Sequence, residues 1–231
     1  MTDADGQRVL DAALLAHELR TPLTVVQGYA EMIAAQAHGD LSPAYVEDAR
    51  VILAACRHMA ALTEGMMTLG AMAAGTLVLH ETGCDLRALV EEACAWLSPA
   101  AARAGLSLVA DLAAVRGPVR GDVRLLRQAL LNLLDNAIRY APRNAGVEIS
   151  ARPVPQGGLC LAVANPGDAE APFELFARGK TEPETSGLGL GLMVARGVMR
   201  AHGGDCRWIR DRGRVAAVLD FPAFRLDGEG G

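Results

Sequence analysis

Apolar residues in the first 36 positions recur at alternating steps of three and four: Leu15, Leu19, Pro22, Val26, Tyr29 and Ile33. This is the spacing of a helix that buries one stripe against partners. It predicts a helix from about Gln7 to Gln36, which Gly39-Asp40 and Ser42-Pro43 then break. A second helix follows, with Val46, Ala49, Leu53, Cys56, Ala60, Thr63 and Met67 on one row and Tyr45, Ile52, Met59 and Met66 on the next. One hairpin cannot hide both rows, so the expected assembly is a homodimer, a dimeric four-helix bundle built from two α-helical hairpins. A monomeric hairpin packed on the following domain is the alternative.

Around Met72-Ala-Ala-Gly-Thr76 the helical signal fades, and Leu77 and Leu79 alternate with polar neighbours. This predicts a short strand and a boundary, with a helical region over 1–74 and a second domain over 75–231. In that domain Leu86 to Ala104, Arg124 to Tyr140 and Leu190 to His202 read as helices. Leu106 to Ala110, Val147 to Arg152, Leu159 to Ala164 and Ala216 to Phe221 alternate as strands, several of them antiparallel in appearance. The mixture predicts an α/β two-layer sandwich.

The length of 231 residues suits two modest domains. Apolar residues reach 51% but aromatics only 4%, so the core is built from Ala, Leu, Val and Met. A net charge of -5 with no basic stripe argues against nucleic acid as a partner. No apolar run approaches the ~18 to 20 residues of a membrane span, which points to a cytoplasmic chain. Cys56, Cys84, Cys94, Cys160 and Cys206 lack metal-ligand spacing and are expected as buried thiols in a reducing compartment.

At ~100° per residue His17 lies opposite the midpoint of Leu15 and Leu19, so its ring should face water. Glu18 flanks it, Thr21 follows one turn later on the same face, and Pro22 should bend the helix just beyond. A histidine alone on a helix is usually a solvated surface residue. The run His17-Glu18-Leu19-Arg20-Thr21-Pro22-Leu23, however, resembles the H-box of the sensor histidine kinases of two-component signalling. The resemblance implies that His17 is the phosphoacceptor, that Glu18 is its general base, and that Thr21 positions water during dephosphorylation of the partner.

Three later stretches share a chemistry. Asn132 and Asn136 lie one turn apart on an otherwise apolar helix, with Arg139 and Tyr140 behind them. Amides in that setting need partners; their carbonyl oxygens suit Mg²⁺ and Arg139 suits phosphate, although a hydrogen-bond network inside a core would also satisfy them. Gly187, Gly189 and Gly191 lead into a helix and let backbone amides approach an anion. Asn165 and Gly167 form a turn past a strand end, and Phe173, Phe176, Arg178 and Lys180 follow. That turn suits an adenine pocket with a lid, while core packing is the plain alternative for the two phenylalanines.

In order and spacing these stretches resemble the N, G1 and F, and G2 boxes of the histidine kinase catalytic domain, a GHKL (Bergerat) ATP-binding fold shared with gyrase, chaperone and MutL-like ATPases. By resemblance Asn136 coordinates Mg²⁺, Asn132 and Arg139 reach the ATP phosphates, Tyr140 lines the pocket, Asn165, Gly167, Phe176 and Arg178 belong to the base and lid region, and Gly187, Gly189 and Gly191 shape the lid. Asn165 departs from the family's aspartate, Ala169 from its second glycine and Leu175 from its proline. An asparagine still accepts a hydrogen bond from the adenine amine, but without charge. The implied activity is ATP-dependent histidine autophosphorylation and transfer to the receiver domain of a response regulator. A phosphotransfer or scaffold protein with a weakened ATP domain is the alternative, and a binding module that controls a transcription factor is a third. No sensor segment is legible, so the signal enters through a missing segment or a separate sensor protein.

Overall fold

Helix α1 (Asp3–Ala34) closes on α2 (Pro43–Ala73) through a heptad of Val9, Ala16, Leu23 and Ala30, and not through the stripe that the three-four spacing singles out. Leu15 is 66% and Tyr29 65% exposed, and Leu19, Val26 and Ile33 are exposed with them, whereas Ala16 is 1% exposed. The buried seam is turned by about 90° around the helix from the expected one. Its alanines let the two helices approach closely. The two backbones are close where α2 passes Ala13: a β-carbon on Gly70 would stand 2.3 Å from the Ala13 Cβ. On α2 the expected row is the buried one, with Val46, Ala49, Leu53, Cys56 and Thr63 inside. Thr63 and Thr68 satisfy their buried hydroxyls by donating to Ala60 O and Glu64 O. The second row, Tyr45, Ile52 and Met59, stays exposed in the single chain.

The computed structural model describes the backbone of residues 3–155, 157–168 and 190–226, with side chains from residue 9 onward. Its residues divide into two compact units, Met1–Leu77 and Val78–Gly231.

The second unit carries β1 (Thr82–Cys84), α3 (Leu86–Arg103), β2 (Ser107–Asp111), β3 (Val119–Gly121), α4 (Val123–Tyr140), β4 (Gly146–Pro153), β5 (Leu159–Pro166), α5 (Leu190–Ala201), β6 (Asp205–Asp211) and β7 (Arg214–Phe221). Five strands form one sheet in the order β2-β4-β5-β7-β6, and β1 pairs with β3 in a separate two-stranded ribbon. Val147, Ile149 and Ala151 of β4 and Leu159, Leu161 and Val163 of β5 are buried, alternating with less buried neighbours. That alternation marks a sheet with helices on one face, here α3, α4 and α5. The two-layer sandwich is therefore present.

Three details differ from the sequence reading. Leu77 and Leu79 belong to no strand; pairing begins at Thr82. The short β1 and β3 and the arginine-bearing edge strand β6 were not anticipated, since three-residue strands and charged edges leave little alternation to read. Strand β2 runs parallel to β4, because β3 and α4 intervene as a crossover.

The core is aliphatic, with Leu125, Leu126, Leu130, Leu133 and Leu134 of α4 packed among Leu161, Leu219 and Met199. All five cysteines are free; Cys56, Cys84 and Cys206 are buried as expected, but Cys94 and Cys160 are half-buried. Among the described residues no helix is long and apolar enough to cross a membrane.

Candidate functional site

His17, Glu18 and Thr21 all lie on the exposed side of α1, next to the buried Ala16. Helical geometry explains the placement: a residue one step from the seam turns ~100° away from it. The helix runs without interruption from Asp3 through Pro22 to Ala34, and Thr24 donates its hydroxyl to Arg20 O just past the proline.

The second group is built on α4. Asp122 caps this helix, accepting the Arg124 and Leu125 N–H groups on Oδ1 at 3.1 and 3.2 Å. Ten residues on, Asn132 and Asn136 are half-buried beside the leucine core. The first turn of α5 lies directly on them: a β-carbon on Gly191 would meet Asn136 Nδ2 at 3.3 Å and Asn132 Cβ at 3.5 Å. Any side chain at Gly191 would thus fill the space over the amides. Arg139 does not stand free beside them, because its Nη2 donates to Asp135 Oδ2 at 3.2 Å. Tyr140 ends the helix with its ring exposed.

Asn165 is the last member of the buried row of β5 and only 4% exposed. A buried amide must be partnered, and its Nδ2 donates to Pro166 O at 2.8 Å, which leaves Oδ1 as the acceptor. Gly167 then ties the strand end to the β6–β7 turn by donating its N–H to Gly213 O at 2.9 Å. Phe173, Phe176, Arg178, Lys180, Gly187 and Gly189 lie outside the described residues.

Two further residues frame this region and were not singled out from the sequence. His202 is buried just past the end of α5, and its Nε2 accepts the Asp122 N–H at 2.9 Å. Arg225 is buried in the 3₁₀ turn Ala223–Arg225 and donates to Glu81 Oε1 and His202 O. The Arg225 hydrogen bond holds the Glu81 carboxyl below its ordinary pKa. Asp122 before an apolar helix was a readable cap signal; nothing local marks the partners of His202 or Arg225.

The family model of the His Kinase A (phospho-acceptor) domain matches residues 12–75. That of the histidine kinase-, DNA gyrase B- and HSP90-like ATPase matches residues 121–223. Histidine protein kinase DivJ of Caulobacter vibrioides is 31% identical over 200 residues, covering 84% of this chain and 33% of DivJ. Sensor protein KdpD of Escherichia coli is 32% identical over 199 residues, covering 83% of this chain and 22% of KdpD. The chain therefore spans a third or less of the length of these curated relatives. Among solved structures, Acinetobacter baumannii histidine kinase AdeS superposes with a TM-score of 0.62 at 26% identity, covering 90% of this chain and 98% of that one. Full-length ShkA in complex with AMPPNP gives a TM-score of 0.70 at 25% identity, covering 92% of this chain and 45% of that one.

Proposed function

The chain belongs to the histidine kinases of two-component signalling, carrying their phosphoacceptor and ATPase domains in that order, and from that premise we propose that it is an ATP-dependent protein histidine autokinase. In this reading residues 1–74 dimerise and carry the acceptor His17, while residues 75–231 bind ATP. The observation that carries it is the half-buried Asn132–Asn136 pair directly beneath Gly191, in a chain that also exposes His17.

The donor set fits magnesium nucleotide. Asn136 offers a side-chain oxygen of the kind that Mg²⁺ takes, and glycine at position 191 sets no side chain against it. A bound Mg²⁺ would offset negative charge on the phosphates. Asn132 orients the triphosphate, and Arg139 reaches it by exchanging Asp135 for a phosphate oxygen, a guanidinium being suited to either. Tyr140 lines the pocket. Asn165, its Nδ2 engaged by Pro166 O, directs Oδ1 to the base amine, with Gly167, Phe176, Arg178, Gly187 and Gly189 completing the base and lid region. The ShkA complex with AMPPNP supports a nucleotide in this domain.

At the acceptor, Glu18 takes a proton from His17 as a ring nitrogen attacks the γ-phosphorus; the bond to the bridging oxygen breaks and ADP leaves. The phosphoryl group then passes to an aspartate of a response regulator receiver domain in the cytoplasm, and Thr21 places water for the separate phosphatase reaction, in which water attacks the regulator's aspartyl phosphate and inorganic phosphate leaves. The open rows of α1 and α2 support a homodimer, since Leu15, Val26, Tyr29, Tyr45 and Ile52 are large apolar residues left exposed.

Incubation with γ-labelled ATP tests the reading. An acid-labile, base-stable label on the chain, absent from His17→Ala, is expected; label that persists in that variant overturns the assignment.

A further inference from the structure

Helices α4 and α5 touch at both of their ends. At one end Gly191 rests on Asn132 and Asn136. At the other, Asp122, which caps α4, donates its backbone N–H to Nε2 of His202 at 2.9 Å. The His202 Nδ1 lies 2.8 Å from Val198 O in the last turn of α5. A backbone N–H can only donate and a carbonyl can only accept, so one species satisfies both contacts: the neutral ring with its proton on Nδ1. The ring is 1% exposed and its seat leaves no slack, because a β-carbon on Gly121 would stand 2.9 Å from its Cδ2.

We propose that His202 is a positioning residue for nucleotide binding: as a neutral imidazole it locks the cap of α4 to the end of α5 and so keeps Gly191 in place over the Asn132–Asn136 pair. The proposal rests on the reading of that pair as part of the ATP site. The eleven steps from Gly191 to His202, all but the last within α5, rise ~16 Å along the helix axis, so a tie at the far end fixes where the near end lies. Without it the register of the two antiparallel helices rests on side-chain packing alone. Asp122 is also the hub for the segment entering the domain, since its Oδ2 accepts the His80 N–H at 3.2 Å.

Protonation would break the tie, because an N–H on Nε2 would face the Asp122 N–H, donor against donor. The charged groups around the ring are Arg225 from the 3₁₀ turn, Asp122 from the cap of α4 and Glu81 from the segment before β1. Burial lowers the imidazole pKa and Arg225 lowers it further, against the Val198 carbonyl, Asp122 and Glu81. The ring is therefore neutral at pH 7 and the tie is closed.

The experiment is calorimetry of Mg-ATP binding to the full chain, unmodified and as His202→Ala and His202→Gln, from pH 5.5 to 8. Glutamine places an oxygen near the position of Nε2 and accepts the Asp122 N–H without titrating. At pH 7.5 His202→Ala should bind about tenfold more weakly, and His202→Gln should recover to within about threefold. Below about pH 6 the unmodified chain should lose affinity by at least about threefold more than His202→Gln does. Binding by His202→Ala equal to that of the unmodified chain, or the same acid loss in His202→Gln, overturns the positioning role. If His202→Ala does not fold, the acid comparison with His202→Gln decides alone. No binding by the unmodified chain at any pH would overturn the ATP reading of the cleft instead, so the two failures are distinct.

Discussion

Gly191 lies so close to Asn136 that a β-carbon on the glycine would stand 3.3 Å from the amide nitrogen. The first turn of α5 and the amide face of α4 thus form one surface, and a methyl or isopropyl group at position 191 would occupy it. Gly191→Ala should weaken Mg-ATP binding by about threefold and Gly191→Val by more than about tenfold, with a cooperative melt retained in both though lowered in Gly191→Val. Calorimetry and a thermal melt on the same samples check this; unaltered affinity in Gly191→Val would remove the amide pair from the nucleotide site.

The exposed stripe of α1 and α2 makes a prediction about assembly. Val26→Glu with Ile52→Glu should convert a dimer into a monomer, since each side chain covered at an interface contributes about 1.5–3 kcal/mol. Sedimentation velocity reads the outcome, and a monomeric unmodified chain would leave the stripe without the proposed partner.

Two glycines in the hairpin should respond in opposite directions. A β-carbon on Gly28 would meet nothing within 4 Å, so Gly28→Ala should stabilise the helix by about 0.5–1 kcal/mol through backbone entropy alone. At Gly70 the same gain is offset by overlap with the Ala13 Cβ at 2.3 Å, and Gly70→Ala should be net destabilising by about 1–2 kcal/mol. Thermal melts followed by circular dichroism distinguish the two.

Stability should also fall on mild acidification. His202 has a pKa lowered from 6.5 in the folded chain, chiefly by burial, so the unfolded chain binds the proton more readily. Its contribution is fully present above about pH 6.5 and is lost as pH falls toward the depressed folded value. The melting temperature should therefore drop between pH 7.5 and 5.5 by more in the unmodified chain than in His202→Gln; parallel curves would show that the ring is not buried neutral.

Much of the architecture was legible because its cause is local. Helix α4 shows its apolar stripe and its amide pair within eighteen residues, and β5 shows alternation over eight. His17 is exposed as expected, but for another reason: the expected seam of Leu15 and Leu19 is itself exposed, and the ring turns away from the buried Ala16 instead. The same local character explains what was missed. Helix α1 has two apolar stripes, and periodicity does not say which one meets α2; close approach selected the alanine-bearing heptad and left the bulkier stripe of Leu15 and Tyr29 open. Strand β6 carries arginines on an exposed edge, where no core imposes a pattern.

By itself the sequence determined the helices and strands with one strong face, the order of the two domains, and the residue types available to an acceptor and a nucleotide cleft, because all of these depend on near neighbours along the chain. Tertiary structure decided which α1 stripe closes the hairpin, that β2 pairs parallel to β4, that Gly191 covers the asparagines, and that His202 meets Asp122 across 80 positions of sequence. Those outcomes depend on steric fit and on hydrogen-bond partners that exist only once distant segments share a core, and no periodicity records them.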